Sequence, residues 1–426
     1  MAKPLTKPKR KNPVLRTRAP MLPPAPRSRI SLGLTSGAAR GVFELQVCRD
    51  CGAVQYPPRE ACKECLSDRL DWTPHSGRGE LVAHTTLRHA MENYFRERLP
   101  WRLGIVKLDG DGPPGKSDSE APSLIVHVHG DCAEPPARVR IRAMLDRSGQ
   151  AVLLALPEKD TPHMSDDPQM RELTCDPKFR KVFVTDGKGP VGQAVVKAMI
   201  AAGSDLVWVG EAAPWKKIPG FEEIAALPEV TVVDLDVTNP DSVKRCAGQI
   251  GPKVDILVNT AEQHRAYTVG GRYGTENARA EMEINYFGLL RLAQEFGPVM
   301  MSRGADTETN AVAWVNILSI FALANKPDQS TFSASKAAAH SLAQAMRAGM
   351  HRSGVRVINL YPGPLDVEWN QELRPPKVTP AALARAIVGA LQGGAEDVYP
   401  GDVAKDWYER WRRDPKVLER ELAHGE

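Results

Sequence analysis

No stretch of the 426-residue sequence approaches the roughly 18 consecutive apolar residues that a membrane-spanning helix needs. The segment from Met1 to Arg29 is Pro-rich and basic and lacks the apolar core of an export signal, so the cytosol is the expected compartment. A disulfide framework is missing too. Of seven cysteines, Cys132, Cys175 and Cys246 are scattered singly, and the other four fall in two Cys-x-x-Cys pairs, the spacing of metal ligands. No acidic residue precedes Glu44, whereas nine lysines and arginines lie between Lys3 and Arg29. Since the whole chain carries only +4, the rest is mildly acidic. Residues 1–37 are therefore expected to form a disordered, solvated extension, although such a tail also suits nucleic acid, a membrane or an acidic partner. The composition, 42% apolar and 25% charged, does not depart from that of globular proteins, and the length exceeds one ordinary core.

Composition and motif divide the chain further, without any internal repeat. Residues 38–76 carry the cysteine pairs. Residues 77–158 hold five short stretches rich in β-branched residues, at 80–86, 102–108, 123–129, 138–142 and 151–156, separated by Gly, Pro and Asp turns. Five such strands suit a small closed barrel. The polar, Pro-bearing stretch 159–179 reads as a linker. From Lys181 strands alternate with helical segments through six units, the last at 355–360, which predicts a doubly wound parallel sheet over 180–426. The expected class is α/β: a Rossmann-type sheet preceded by a cysteine knuckle and a small OB-like barrel.

Cys48-x-x-Cys51 and Cys62-x-x-Cys65, ten residues apart, supply four thiolates of the kind that hold Zn²⁺ in a closed tetrahedral site. Four cysteines leave no open coordination position, so the metal is assigned to folding. The segment Leu45-Gln-Val-Cys-Arg-Asp-Cys-Gly through Pro57-Pro58-Arg59 to Cys65 resembles the opening of the DUF35 family, which pairs a rubredoxin-like zinc ribbon with an OB-fold barrel. The resemblance covers about residues 38–158. It implies acyl-CoA handling and partnership with thiolase-like or other acyl-CoA enzymes. A ribbon, a barrel and a basic tail also fit single-stranded nucleic-acid binding. That reading ranks lower, because Tyr94, Phe95 and Trp101 cluster in one stretch off the inferred strands and the body is acidic.

Residues 180–423 resemble a short-chain dehydrogenase/reductase in which key positions are replaced. Where the family has Thr-Gly-x-x-x-Gly-x-Gly after the first strand, this chain has Thr185, Asp186, Gly187, Lys188, Gly189, Pro190, Val191 and Gly192. Asp186 places a carboxylate where phosphate is expected, and Pro190 removes a backbone donor. A turn shifted by one residue onto Gly189, with Lys188 offsetting the Asp186 charge, would leave weak dinucleotide binding. Asp236-Val237 resembles the pair set against the adenine ring, and Asn259-Thr260-Ala261 the strand end that follows. The next position, glycine in the family, is Glu262, which is expected to face the nucleotide pocket and repel a diphosphate unless it turns to solvent. Glu211 leans toward NAD over NADP.

Of the family's Asn, Ser, Tyr and Lys constellation, Asn285, Ser319 and Lys336 match, and Lys336 also counts among the cofactor-binding residues. The tyrosine position is Phe332, thirteen residues after Ser319. Phenylalanine has no ionisable group, so the acid/base step, worth roughly 10²–10⁴ in rate, loses its carrier. Ser330, Thr331, Ser333 and Tyr286 are the nearest hydroxyls that would have to replace it. Val367 stands where the family has a cofactor-binding threonine. Helices over 285–301 and 333–351 are apolar enough to pair with another subunit.

The resulting expectation is a non-catalytic or weakly catalytic subunit of an acyl-CoA pathway. It would dock a thiolase-like enzyme, an active dehydrogenase of the same fold, or both, with structural Zn²⁺ and damaged NAD(P) contacts. The alternative is an NAD(P)-dependent 3-hydroxyacyl-CoA dehydrogenase or ketoreductase with a relocated acid.

Overall fold

A computed structural model of the chain describes residues 4–7, 22–24, 28–110, 122–304 and 310–424, so most of the basic extension lies outside the described residues. Two compact units result, the first built mainly on residues 21–175 and the second on 176–392 and 396–426.

The first unit begins with α1 (Leu32–Ala39), followed by β1 (Glu44–Cys48), β2 (Val54–Gln55) and β3 (Leu70–Pro74), an antiparallel sheet in the order β2-β1-β3. Helix α1 corrects the expectation of disorder through residue 37. Leu34 and Ala38 are buried in one cluster with Phe43 and Leu45, and that burial outweighs the poor helix propensity of Gly33 and Gly37.

After β4 (Arg78–Leu87) and the single turn α2 (Asn93–Arg96) come β5 (Trp101–Leu108), β6 (Ser123–Val128), β7 (Ala137–Leu145) and β8 (Ala151–Pro157). They close as the barrel β4-β5-β6-β8-β7, in which only β6 and β8 run parallel. Alternation places Leu124, Val126 and Val128 inside and Ile125 outside. Trp101, expected off the strands, opens β5. It is buried and its Nε1 donates to His127 Nδ1 at 2.7 Å, so the indole is committed to the barrel. The stretch expected as a linker contains α3 (Pro168–Leu173). Asp167 caps it by accepting from Met170 N at 3.0 Å, with Pro168 in the first turn, and Met170 and Leu173 pack beneath Met144, Leu154 and Leu156.

The second unit runs β9 (Lys181–Val184), α4 (Pro190–Ala201), β10 (Leu206–Glu211), α5 (Phe221–Ala225), β11 (Val230–Asp234), α6 (Pro240–Ile250), β12 (Ile256–Asn259), α7 (Glu276–Met282), α8 (Leu289–Arg303), β13 (Ala313–Ile317), α9 (Ser330–Met350), β14 (Arg356–Leu360), α10 (Pro380–Gly393), β15 (Asp397–Val398), α11 (Asp402–Arg413) and α12 (Pro415–His424). The sheet is parallel throughout, in the order β11-β10-β9-β12-β13-β14-β15. The six expected strands are all present. A two-residue seventh, β15, pairs with β14. Fully buried Phe183, Phe296 and Trp314 anchor the core, with Phe183 and Phe296 stacked at 5.3 Å. In an open sheet of this kind ligands bind beyond the carboxyl ends of the strands. The loops that follow β9, β12, β13 and β14 carry the candidate residues.

Candidate functional site

The knuckle in the first unit brings its four cysteines together, with all Sγ atoms within 4.8 Å of one another. Cys48 and Cys65 are 3.6 Å apart and Cys51 and Cys62 3.5 Å. Zinc–sulfur bonds of about 2.3 Å in a tetrahedron set the sulfurs about 3.8 Å apart, so four thiolates gathered this closely suit zinc with only small adjustments. Glu64 N also donates to Cys62 Sγ at 3.4 Å, as backbone amides do toward metal-bound thiolates.

In the second unit the loop after β9 is closed upon itself. Asp186 turns its carboxylate back into the loop, where Oδ1 accepts from Lys188 N at 3.0 Å. Burial raises its pKa, while the Lys188 and Gly189 amides pull the other way. The backbone amides that would meet a phosphate thus meet a side chain of the same loop. Asp186 N donates to Thr260 Oγ1 at 2.9 Å, and Thr185 Oγ1 donates to Asn259 Oδ1 at 2.9 Å, which ties this turn to the end of β12. Lys188, a possible counter-charge by sequence, is buried elsewhere: its Nζ donates to Lys216 O at 2.8 Å and pairs with Glu211. Glu211 is therefore committed as well.

The loop glycines have two different explanations. A Cβ on Gly187 would collide with Val209 Cγ1, and one on Gly192 with Asp186 O, so protein packing requires both. A Cβ on Gly189 would meet nothing within 4 Å. Asp236 Oδ1 accepts from Thr238 N at 2.9 Å and from its hydroxyl at 2.7 Å, which caps the turn into α6, and Val237 is buried.

Glu262 departs from both expectations, since it neither opposes a diphosphate from the loop nor turns to solvent. Its Oε2 lies 2.7 Å from Lys336 Nζ, and that nitrogen also donates to Ile317 O at 3.0 Å. Burial disfavours the Glu262 charge, but Lys336 and then His264 outweigh it and hold the carboxyl below its usual range. Lys336 is thus engaged by two protein partners.

Phe332 lies in an apolar cluster with Ile320, Phe321 and Trp407, and its ring stacks on His264 with centroids 3.7 Å apart and planes at 14°. Lys336 Nζ is 5.4 Å from the centre of the Phe332 ring. The surviving family residues Asn285 and Ser319 are hydrogen-bonded within the protein. Asn285 sits in a π-helical segment, Glu283–Gly288, and its amide exchanges two hydrogen bonds with the Gln263 backbone, at 3.0 and 2.8 Å, and donates to Ser335 Oγ at 2.8 Å. Ser319 Oγ accepts from Phe321 N at 3.2 Å as the cap of a short turn.

The hydroxyls of Ser330, Thr331 and Ser333 are also engaged. Ser330 Oγ donates to Tyr267 O at 3.1 Å, Thr331 Oγ1 to Tyr267 OH at 2.6 Å, and Ser333 Oγ to Gln329 O at 2.8 Å. Tyr286 makes an edge contact with Phe287. Val367 leads into a 3₁₀ turn, Glu368–Asn370.

Sequence reasoning missed His264. It is 4% exposed, and burial lowers its pKa against the opposing influence of Glu262 and Gln329, so the ring is neutral near pH 7. Gln329 Nε2 donates to Asn370 Oδ1 at 2.9 Å, which turns Gln329 Oε1 toward His264 Nε2 at 3.1 Å. The hydrogen therefore sits on Nε2 and the lone pair on Nδ1, which has no hydrogen-bond partner among the described residues. A lone histidine two residues past Glu262 offers no signal until its Phe332 and Gln329 contacts are visible.

Comparison with known proteins agrees with this architecture. Residues 35–71 match the ChsH2 rubredoxin-like zinc ribbon domain, 72–143 the ChsH2 C-terminal OB-fold domain, and 180–377 the short chain dehydrogenase model. A short chain dehydrogenase from Burkholderia cenocepacia, solved in complex with NADP, is 33% identical with a TM-score of 0.52, covering 57% of this chain and 98% of that one. An uncharacterized oxidoreductase of Staphylococcus aureus is 27% identical over 218 residues, half of this chain and 90% of that protein. A Staphylococcus epidermidis counterpart is 24% identical over 222 residues, half of this chain and 91% of that protein. Through its second unit the chain belongs to the short-chain dehydrogenase family, and it carries ahead of that domain, in one polypeptide, a zinc ribbon and OB-fold of the ChsH2 type.

Proposed function

We propose that this chain is an accessory subunit of an acyl-CoA enzyme system whose dehydrogenase-like domain does not transfer hydride. The observation that carries the reading is the pairing of Lys336 with Glu262 beside a tyrosine position filled by Phe332. With no phenol to exchange a proton and the lysine held by a carboxylate, the constellation lacks the parts that reduce or oxidise a carbonyl. Asp186 adds to this, because a dinucleotide would have to displace a protein carboxylate from the loop amides. The residues present therefore do not fit NAD(P). The ribbon and barrel support the acyl-CoA assignment through the DUF35 resemblance, which implies a thiolase-like or related partner, and the dehydrogenase-like unit offers a scaffold for a catalytically active relative. Purification of the native protein from its own host tests this: co-purification with a thiolase-like enzyme or a dehydrogenase supports it, and recovery alone contradicts it.

A second reading has one specific observation in its favour. His264 Nδ1 is a neutral, oriented proton acceptor stacked on the very residue that replaced the tyrosine. In that case the chain is an NAD(P)-dependent hydroxyacyl-CoA dehydrogenase with a relocated base, and the NADP carried by its Burkholderia relative is the expected cofactor. Turnover of a 3-hydroxyacyl-CoA that survives Tyr286→Phe and is lost in His264→Gln would establish it over the first reading.

A further inference from the structure

The second unit contains a cavity of about 390 Å³ that shares no residue with the loop or the Lys336 centre. Its walls come from four places: Gly363 and Pro364 after β14, the 376–378 segment, the first two turns of α10, and the turn from β15 into α11. We propose that this cavity binds a small amphipathic anion, a carboxylate carrying a short hydrocarbon chain.

The space is built into the backbone. Val378 N donates to Pro364 O at 2.8 Å and Asp366 N to Val378 O at 2.9 Å, which fastens the 376–378 segment alongside the chain leaving β14. Gly363 N donates to Pro400 O at 3.1 Å and fixes a second wall. Gly401 has φ +90°, and any Cβ there would collide with Val378 Cγ2, so only glycine closes that corner. Tyr399 is held by stacking on Tyr361 at 5.2 Å and on Tyr408 at 3.7 Å, so its ring does not swing in to fill the space. Ala382 and Ala386, one helical turn apart on α10, keep the opposite wall low.

The lining identifies the ligand. Alanine, valine, proline and tyrosine make most of the surface apolar, and the volume lies at the lower end of the roughly 300–1,000 Å³ typical of small-molecule sites. Lys377 and Lys405 stand against a single acidic residue, Asp402. Lys377 Nζ donates only to the Gln371 carbonyl, at 3.0 Å, and neither lysine forms an ion pair among the described residues. Two lysines in an otherwise largely apolar lining match a ligand with a hydrocarbon tail and a single anionic head. Among the described residues no arginine lines the cavity, which argues against a phosphate clamp built on bidentate guanidinium contacts.

Calorimetric titration of the zinc-loaded full chain with octanoate, and in parallel with uncharged octanamide, tests the proposal. Saturable one-to-one binding of octanoate is expected, with octanamide weaker by about tenfold or more. Lys377→Gln combined with Lys405→Gln should weaken octanoate by about tenfold and leave octanamide unchanged. Ala386→Phe, which fills the cavity, should abolish both, and Ala382→Leu serves if that variant does not fold. No saturable octanoate binding, equal binding of acid and amide, or binding that persists in a folded cavity-filling variant would each overturn the proposal. None of these results depends on whether a dinucleotide binds, so this proposal and the functional reading fail separately.

Discussion

Replacing Lys336 by methionine separates a structural lysine from a catalytic one. In an ordinary dehydrogenase of this family such a change would remove activity. Here it should mainly remove stability, because it strands Glu262. The Lys336 side chain is 3% exposed and that of Glu262 24%. Breaking a buried ion pair by removing one partner costs about 3–5 kcal/mol, and partial access of water to Glu262 places this pair near the lower end. Loss of the Nζ bond to Ile317 O adds about 1 kcal/mol. The expected cost is therefore about 3–4 kcal/mol, or roughly 6–15 °C in Tm for a domain of this size. Urea unfolding followed by tryptophan fluorescence measures it. Glu262→Gln combined with Lys336→Met should cost less than the two single changes together, by about 1.5 kcal/mol or more, since neither charge is then left alone. A Lys336→Met protein within about 0.5 kcal/mol of wild type, or strictly additive single changes, would refute the pairing.

Asp186→Gly empties the loop amides. A carboxylate about 4 Å from a phosphate costs about 4 kcal/mol at an effective dielectric of 20, so NADPH affinity should rise about 100-fold or more even with Pro190 still lacking a donor; an unchanged titration would contradict the role given to Asp186. His264 is held neutral by burial, and its folded pKa lies below its unfolded value of about 6.5. The stability linked to it is present above that value and is lost as pH falls through the folded pKa, so wild type should lose more stability than His264→Gln on acidification from pH 7, and parallel curves would argue against it. Removing zinc with a chelator should leave 48–65 open to protease, because four cysteines without metal do not replace its bonds; continued protection would show that the knuckle folds without it.

Much of the architecture was legible because its signals are local and repeated. The buried parallel strands read as apolar runs such as 182–184 and 256–258, and the barrel strands as stretches rich in β-branched residues such as 123–128. β15 has only two residues and therefore no periodicity. α1 was missed because Gly33 and Gly37 depress its propensity and only its packing against Phe43 and Leu45 rescues it, and α3 because its Asp167-Pro168 start is brief and sits in polar sequence. At the centre, the resemblance to short-chain dehydrogenases, with the spacing from Ser319 and to Lys336, exposed Phe332 at the tyrosine position. The direction of a side chain is different in kind: nothing in the string distinguishes a Glu262 aimed at phosphate from one aimed at Lys336. Likewise the tautomer of His264 depends on Gln329 and Asn370, 65 and more positions away.

The central claim, that the dehydrogenase-like domain has given up its dinucleotide, is tested most directly by calorimetric titration of the zinc-loaded wild-type protein with NADH and NADPH. The arrangement of Asp186, Glu262 and Lys336 predicts no measurable binding even at cofactor concentrations of about 1 mM, whereas saturable binding with a Kd near 1 µM would contradict it.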